Sequence, residues 1–351
     1  MRLDREPNDR QKLLYKTARS GIRKQIRSQV GPLIGQAEFG AQVFAVKVDR
    51  GFGYDQELSD LLAGFTILDK GCHLHFLGRQ ENIGVIWTGW SWTAVLTAIG
   101  LYVIRMFAIT GFYHRYFSHK AFKTSRFWQF VFAVLGNASV QRGPIWWAAH
   151  HRHHHRYTDQ ERDVHSPRQQ GFWWSHIGWL TSRANFPTKN KYVQEWLKYP
   201  ELCWLNRFDK VVPILLAGLL YVSGEFLATY APQLGTNGPQ MLIWGFFISS
   251  TLLLHGTLTI NSLDHMFGSR RYDTPDTSRN NLILALITLG EGWHNNHHHY
   301  AVSARQGFLW WEIDMTYYAL LLLARLGIIH NLRPVPDYMR HKNRIVTDKS
   351  T

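Results

Sequence analysis

The run IGVIWTGWSWTAVLTAIGLYVI, residues 83–104, is 22 residues long and carries no charge. A hydrocarbon core about 30 Å thick takes roughly 20 apolar residues in helical form to cross. The run therefore reads as a transmembrane helix, and its neighbours can be judged by the same measure. MLIWGFFISSTLLLHGTLTINS, residues 241–262, is a second run of 22, interrupted only by His255. Val211 to Ala228 is apolar apart from Glu225 and supplies a third span. Ala231 to Gln240 joins the last two with Pro, Gly and no charge, as expected for a turn between paired helices. Phe127 to Gln141 is uncharged but too short to cross, and Trp310 to Ile329 mixes Leu and Tyr with Glu312, Asp314 and Arg325. Both read as helices lying at the interface. The 15 Trp suit an aromatic belt at headgroup level. The fold expected is an all-α integral membrane protein.

Charge orients these spans. The 351 residues hold 39 Lys+Arg against 25 Asp+Glu, a net +14. That excess admits nucleic acid or an anionic membrane surface as partner. Residues 111–210 carry 15 basic against 6 acidic residues and residues 265–351 carry 10 against 7, whereas the turn at 231–240 has neither. By the positive-inside rule both basic segments are cytoplasmic and the turn is on the other side. Membrane orientation thus accounts for the charge, and with no recognition motif present, nucleic acid is not an expected partner.

The first 27 residues hold nine Lys+Arg and three Asp+Glu, which keeps that end cytoplasmic, yet three spans alone would place it opposite. Residues 58–81 and 30–46 are the stretches that could supply another crossing, and both are interrupted by charge. The chain accordingly divides into a basic N-terminal segment 1–82, a membrane domain 83–333 and a basic tail 334–351. No apolar run follows the basic start, so no cleavable signal peptide is expected.

Histidine is over-represented. Eleven of 19 fall in three windows, 114–119, 150–155 and 294–299. His114 and His119 stand as HxxxxH; His294, His297 and His298 stand as HxxHH; the middle window satisfies HxxHH either as His151, His154 and His155 or as His150, His153 and His154. Positions i, i+3 and i+4 share one helix face, so each HxxHH can aim several imidazoles at one place. Eight neutral imidazoles exceed the needs of one ion and suit two, and imidazole serves iron, copper, zinc or nickel alike. Two spans separate the second window from the third, so all three windows face the same side. Two cysteines, Cys72 and Cys203, exclude a disulfide scaffold, a four-thiolate zinc site and an iron–sulfur cluster.

These motifs together resemble those of the membrane fatty acyl desaturases, specifically bacterial relatives of stearoyl-CoA delta-9 desaturase. The resembling text is GFYHRYFSH at 111–119, WWAAHHRHHHRYTD at 146–159, NSLDH at 261–265 and GEGWHNNHH at 290–298. The likeness runs from about Trp87 to Arg333. It implies the pattern His-Arg-x-His-His, which selects His151, His154 and His155 and leaves His150, His153 and His299 as bystanders. It implies a ninth ligand at His265, with Asn261 one turn earlier reaching the metal through water. The implied centre is two iron ions (Fe2+/Fe3+) held under a helical cap, without the bridging carboxylates of soluble di-iron bundles.

The resemblance further implies a kinked substrate tunnel at Gln141, Trp147 and Thr257, closed at its far end by Tyr102, for a chain of sixteen to eighteen carbons. Animal acyl-CoA members have an Arg-Asp pair where this chain has Ala149 and His150. That leaves Arg183 as the candidate headgroup contact and CoA, acyl carrier protein or a lipid as the carrier. The family has four spans, one more than is clear here. The reaction expected is O2-dependent insertion of a cis double bond, at delta-9, with two electrons from an external ferredoxin, rubredoxin, flavoprotein or cytochrome b5-like donor. The expected setting is a bacterial inner membrane with the active site cytoplasmic. Two other readings stand beside it. A di-iron membrane hydroxylase would share the histidine windows, but residues 290–294 and 261–265 favour desaturation. A histidine-rich metal transporter would place its ligands at mid-membrane rather than at span ends.

Overall fold

A computed structural model describes residues 84–345. The sequence expectations for segment 1–82 and for the last residues of the tail, 346–351, lie outside the described residues. The described part is predominantly helical, with one pair of two-residue strands, β1 (Lys123–Thr124) and β2 (Ile329–His330), antiparallel with Lys123 opposite His330.

Among the described residues three helices are long and apolar enough to cross a membrane: α1 (Trp92–Ser118), α5 (Val211–Tyr230) and α6 (Gly238–His265). The first differs from the uncharged run at 83–104. Gly89 adopts φ +64° and ends a helical turn over 84–88, and Ser91 restarts the chain by accepting a hydrogen bond from the Ala94 amide at 3.1 Å. The helix then continues past Arg105 to Ser118, because Arg105 and Arg115 are buried and partnered rather than marking its end. α5 and α6 form the expected hairpin, tightened at the turn. Asn237 caps α6 through the Gln240 amide at 2.9 Å, and Glu225, the one charge in α5, accepts from the Gly238 amide at 2.9 Å.

Between and after the spans lie α2 (Arg126–Asn137), α3 (Pro144–Tyr157), α4 (Pro200–Arg207), α7 (Leu282–Ile287), α8 (His294–His299), α9 (Met315–Arg325) and α10 (Asp337–His341). None of these is long and apolar enough to cross; α2 overlaps the short run at 127–141 and α9 lies within the run at 310–329. Phe112 of α1 stacks on Phe132 of α2 at 3.8 Å within a buried cluster that includes Tyr113, Phe117, Ile145 and Trp196. α2 crosses so close to α1 that a Cβ on Gly136 would lie 2.1 Å from the Tyr113 ring. This packing holds α3 against the C-terminal half of α1, where the first two histidine windows meet.

Candidate metal centre

His119 lies five positions after His114, which on an ideal α-helix puts them about 140° apart. The chain solves this locally. Residues Ala108–Ser118 form a π-helix, and the His119 amide donates to the His114 carbonyl at 3.2 Å, an i→i−5 bond. The wider turn brings the two rings onto one face, with centroids 4.9 Å apart. Arg152 holds this end in place. Its guanidinium donates to the carbonyls of Ser118 and Phe117, both at 2.7 Å, tying α3 to the open C-terminus of α1. The arginine inside the middle window is therefore a cap for the neighbouring helix.

All nine histidines implied by the sequence converge in two groups. His114, His119, His151, His155 and His297 form one, and His154, His265, His294 and His298 form the other; within each, the ligand atoms lie within 4.8 Å of one another. HxxHH on α3 and α8 divides its rings between the groups: His151 and His155 go to the first while His154 goes to the second, and His297 goes to the first while His294 and His298 go to the second. The three bystanders point elsewhere. His150 faces the Pro187 carbonyl at 3.3 Å, His153 faces Lys189 at 3.1 Å, and His299 donates to the Met339 carbonyl at 2.8 Å while stacking on Tyr272.

Sequence reading missed the carboxylates that orient these rings. His114 Nδ1 contacts Glu291 and His154 Nδ1 contacts Asp163 at 3.0 Å. His298 Nδ1 contacts Asp276 at 2.8 Å. His265 Nδ1 donates to Thr277 Oγ1 at 3.2 Å, and that hydroxyl donates in turn to Asp159 at 2.7 Å. Glu291 and Asp314 are both paired with buried Arg115, at 3.1 and 2.9 Å. Asp159 and Glu291 stand inside the quoted motifs, and Asp163 lies nine residues after His154; an acidic residue near a histidine window was the available signal.

These contacts fix the tautomers. For His114, His154, His265 and His298 the proton is committed outward at Nδ1, which turns the Nε2 lone pair inward. Nε2 atoms face each other at 3.1 Å between His114 and His297, at 2.9 Å between His297 and His155, and at 3.1 Å between His265 and His294. His298 Nε2 is buried with no hydrogen-bond partner. Inward-facing lone pairs backed by buried carboxylates repel each other and attract cations, so the donor set fits two metal ions, one per group. Burial, then the charge each neighbouring imidazole would bring, holds His119, His151, His155, His294 and His297 well below the ordinary histidine range, which keeps them neutral for ligation. Burial alone would raise Asp163 and Asp276, but the facing His154 and His298 hold both below the usual carboxylate range.

Two cavities meet at this centre. One is lined by Gln141, Trp147, Trp179, Leu254 and Thr257, the other by Met106, Ile109, Thr110, Ile260 and Thr288; Trp147, His151, Thr257 and Asn261 line both. The Gln141 amide donates to Thr257 Oγ1 at 2.9 Å, and Trp147 Nε1 donates to Gln141 at 3.4 Å, so three residues named from sequence form one hydrogen-bonded wall where the cavities join. Two others are placed differently. Tyr102 lines neither cavity; its hydroxyl donates to the Ile287 carbonyl at 2.8 Å, and Met106, one turn nearer the histidines, lines the second cavity. Arg183 is exposed in a short turn, Arg183–Asn185, and also lines neither.

Two buried histidine groups that fit metal ions, set beside two cavities and among membrane-length helices, suit a membrane metalloenzyme that acts on an apolar substrate. Comparison with known proteins is in accord with that class. Residues 90–336 match the family model described as fatty acid desaturase. The chain is 37% identical to an sn-2 palmitoyl-lipid 9-desaturase of Nostoc sp. (strain 36), across 68% of this chain and 82% of that one. It is 34% identical to the chloroplastic palmitoyl-monogalactosyldiacylglycerol delta-7 desaturase of Arabidopsis thaliana (74% and 67%) and 36% identical to an acyl-CoA 5-desaturase of Anemone leveillei (73% and 76%). The chain belongs to the fatty acid desaturase family, and it is a membrane enzyme, an oxidoreductase acting on fatty acyl chains.

Proposed function

We propose that this protein inserts a cis double bond, at delta-9, into a saturated acyl chain of sixteen to eighteen carbons carried on CoA or a lipid. The observation that carries this reading is the position of nine convergent imidazoles beside the junction of two apolar cavities. The balanced reaction is R–CH2–CH2–R′ + O2 + 2e− + 2H+ → R–CH=CH–R′ + 2H2O. Two iron ions are the fitting occupants of the histidine groups, and when bound they supply the O2-dependent redox chemistry that unactivated methylenes require. His114, His119, His151, His155 and His297 would hold one, and His154, His265, His294 and His298 the other. Asn261, on the shared wall one turn before His265, would act on the four-imidazole side through water.

The protein's own residues supply position and dryness. An apolar chain threaded past Leu254 and Leu258 would bend at Gln141, Trp147 and Thr257 and end against Met106. A channel that fixes one carbon pair beside the metals gives selectivity, since small misplacements of a reacting centre are costly. Length is set by Met106, and the position of the double bond by the distance from the mouth to the bend. Relatives act on carbons 5, 7 and 9 and on both lipid and CoA carriers. The delta-9 assignment and the carrier are therefore this reading's finer points. His150 occupies the place of the animal carrier-binding pair and faces a backbone carbonyl, which supports a lipid as readily as CoA.

The electrons come from an external ferredoxin, rubredoxin, flavoprotein or cytochrome b5-like donor. The net positive segments 111–210 and 265–351 support a cytoplasmic active site in a bacterial inner membrane. Expression in a desaturase-deficient host together with a redox partner, followed by fatty-acid mass spectrometry with double-bond location, tests the reading. A new delta-9 monounsaturated acid, abolished by His294→Ala, is expected. Hydroxylated product would transfer the protein to the hydroxylases, and no lipid change would overturn both.

A further inference from the structure

Arg105 lies within span α1, 2% exposed, nine residues before His114. A buried cation inside a membrane helix normally faces an anion, because desolvation otherwise disfavours it strongly. Arg105 is bonded instead to neutral oxygens drawn from three elements. Its Nε donates to the Leu101 carbonyl of its own helix at 3.1 Å, its Nη1 to the Ala138 carbonyl at 3.3 Å and to Ser250 Oγ at 2.8 Å, and its Nη2 to Ser249 Oγ. Ser139 Oγ closes the arrangement by donating to the Arg105 carbonyl at 3.1 Å. The guanidinium thus clamps the turn after α2 and the middle of α6 to α1.

Both clamped segments lead directly to the bend of the channel. In the turn, Gln141 stands between Val140 at φ +61° and Arg142 at φ +68°. Positive φ is disfavoured for a β-branched residue such as Val140, so the surrounding structure must impose it. On α6, Ser250 precedes Thr257 by seven residues, two turns along one face. The two residues whose side chains bond at 2.9 Å to form the channel wall, Gln141 and Thr257, are therefore held on one side by Ala138 and Ser139 and on the other by Ser249 and Ser250. One side chain sets the offset between them.

We propose that Arg105 is a positioning residue that fixes the bend at Gln141 and Thr257 and thereby decides which methylene pair lies beside the metals. The proposal rests on the reading of the protein as an acyl desaturase. It acts through the channel wall and not through the metal ligands, so its loss should shift the product's double bond as well as slow its formation.

The test is double-bond location by mass spectrometry of dimethyl disulfide adducts, for the full chain and for Arg105→Met, Arg105→Lys and Ser250→Ala, expressed with a redox partner. The wild type gives one positional isomer. Arg105→Met gives a mixture in which isomers displaced by one or two carbons exceed a tenth of the product; Arg105→Lys and Ser250→Ala give smaller displaced fractions. If Arg105→Met fails to enter the membrane, the other two decide. Reduced product at an unchanged position in every active variant assigns Arg105 to stability alone and overturns the proposal. Inactivity of all three with normal metal content overturns it as well, because a shifted bend leaves the metals competent. Absence of unsaturated product from the wild type removes the desaturase reading itself.

Discussion

The Nε2 atoms of His119 and His151 lie 2.8 Å apart, although one ends a π-helix of span α1 and the other lies in the middle of α3. That juxtaposition joins the first two histidine windows, and it depends on register. His153, two positions further along α3, faces Lys189 instead and carries a pKa lowered by burial to about 4.

Register predicts unequal consequences for neighbouring substitutions. His155→Ala removes a ring from the first metal group and should reduce turnover at least about 100-fold, the scale of losing one element of a site that works as a unit. His153→Ala leaves both groups intact and should retain turnover within about threefold, on the scale of a surface change. Paired measurement of product and of metal per chain checks this. Equal losses would show that the middle window is read in the wrong register.

The outward hydrogen bonds of the ligands should matter nearly as much as the ligands. Asp276→Asn keeps the shape beside His298 but loses the charge that orients its ring and raises its basicity. A loss of about 10–100-fold in metal affinity is expected. Metal competition with a chelator, followed by elemental analysis, measures it; retention of wild-type affinity would remove Asp276 from the site.

Met106 lines the inner cavity, and Tyr102 lines neither cavity. Met106→Ala should deepen the inner cavity and raise the share of product longer than eighteen carbons, whereas Tyr102→Ala should change length selection less, because Tyr102 lines neither cavity. Competition between saturated substrates of graded length separates the two. A larger effect at Tyr102 would restore it as the tunnel's end.

Gly136 is where α2 meets the Tyr113 ring of α1. A methyl group there has no room, and overpacking of this kind costs about 1–3 kcal/mol. Gly136→Ala should lower the melting temperature in detergent. Unchanged melting would show that α2 can withdraw from the span.

Acid should destabilise the metal-free protein by two routes of the same sign. Folded pKa values of His119, His151, His155, His294 and His297 lie below their unfolded ones, so the unfolded chain binds more protons as pH falls below about 6.5. Asp159, Asp163 and Asp276 are likewise held low, so the stability that they contribute above about pH 4 is lost as they protonate. Stability should therefore rise from about pH 4 to 7 through the imidazoles, and fall further below about pH 4 through the carboxylates. Thermal denaturation of the metal-free protein across that range reads it, and a flat profile would mean that the imidazoles are solvated.

The spans, their turn and the three histidine windows were legible because each rests on a local pattern: apolar length for the spans and i, i+3, i+4 spacing for α3 and α8; the register of the middle window and the place of His265 came only from the family resemblance. His114 and His119 were legible as a pair but not as a geometry, since only a π-helix brings i and i+5 together and sequence carries no simple sign of one. Arg105 looked like the end of a span, because a charge reads as a boundary until its buried partners are seen. Asp163, Asp276 and Thr277 were missed for a related reason. Their contribution is to sit behind an imidazole, a contact made across 9 to 22 residues of chain that no periodicity encodes. Met106 lines the inner cavity and Tyr102 lines neither, because one helical turn decides which residue faces it.

The central claim is that nine histidines hold two metals that drive oxygen-dependent removal of two hydrogens from an acyl chain. The most direct test uses purified protein loaded with two irons, a chemical or protein electron donor, O2 and a saturated sixteen- or eighteen-carbon acyl substrate deuterated along its length. The account predicts a product lacking two adjacent deuterons, with one O2 consumed per double bond and none formed without O2 or after His151→Ala. A product that gains oxygen, or full retention of deuterium in protein that carries both irons, would contradict it.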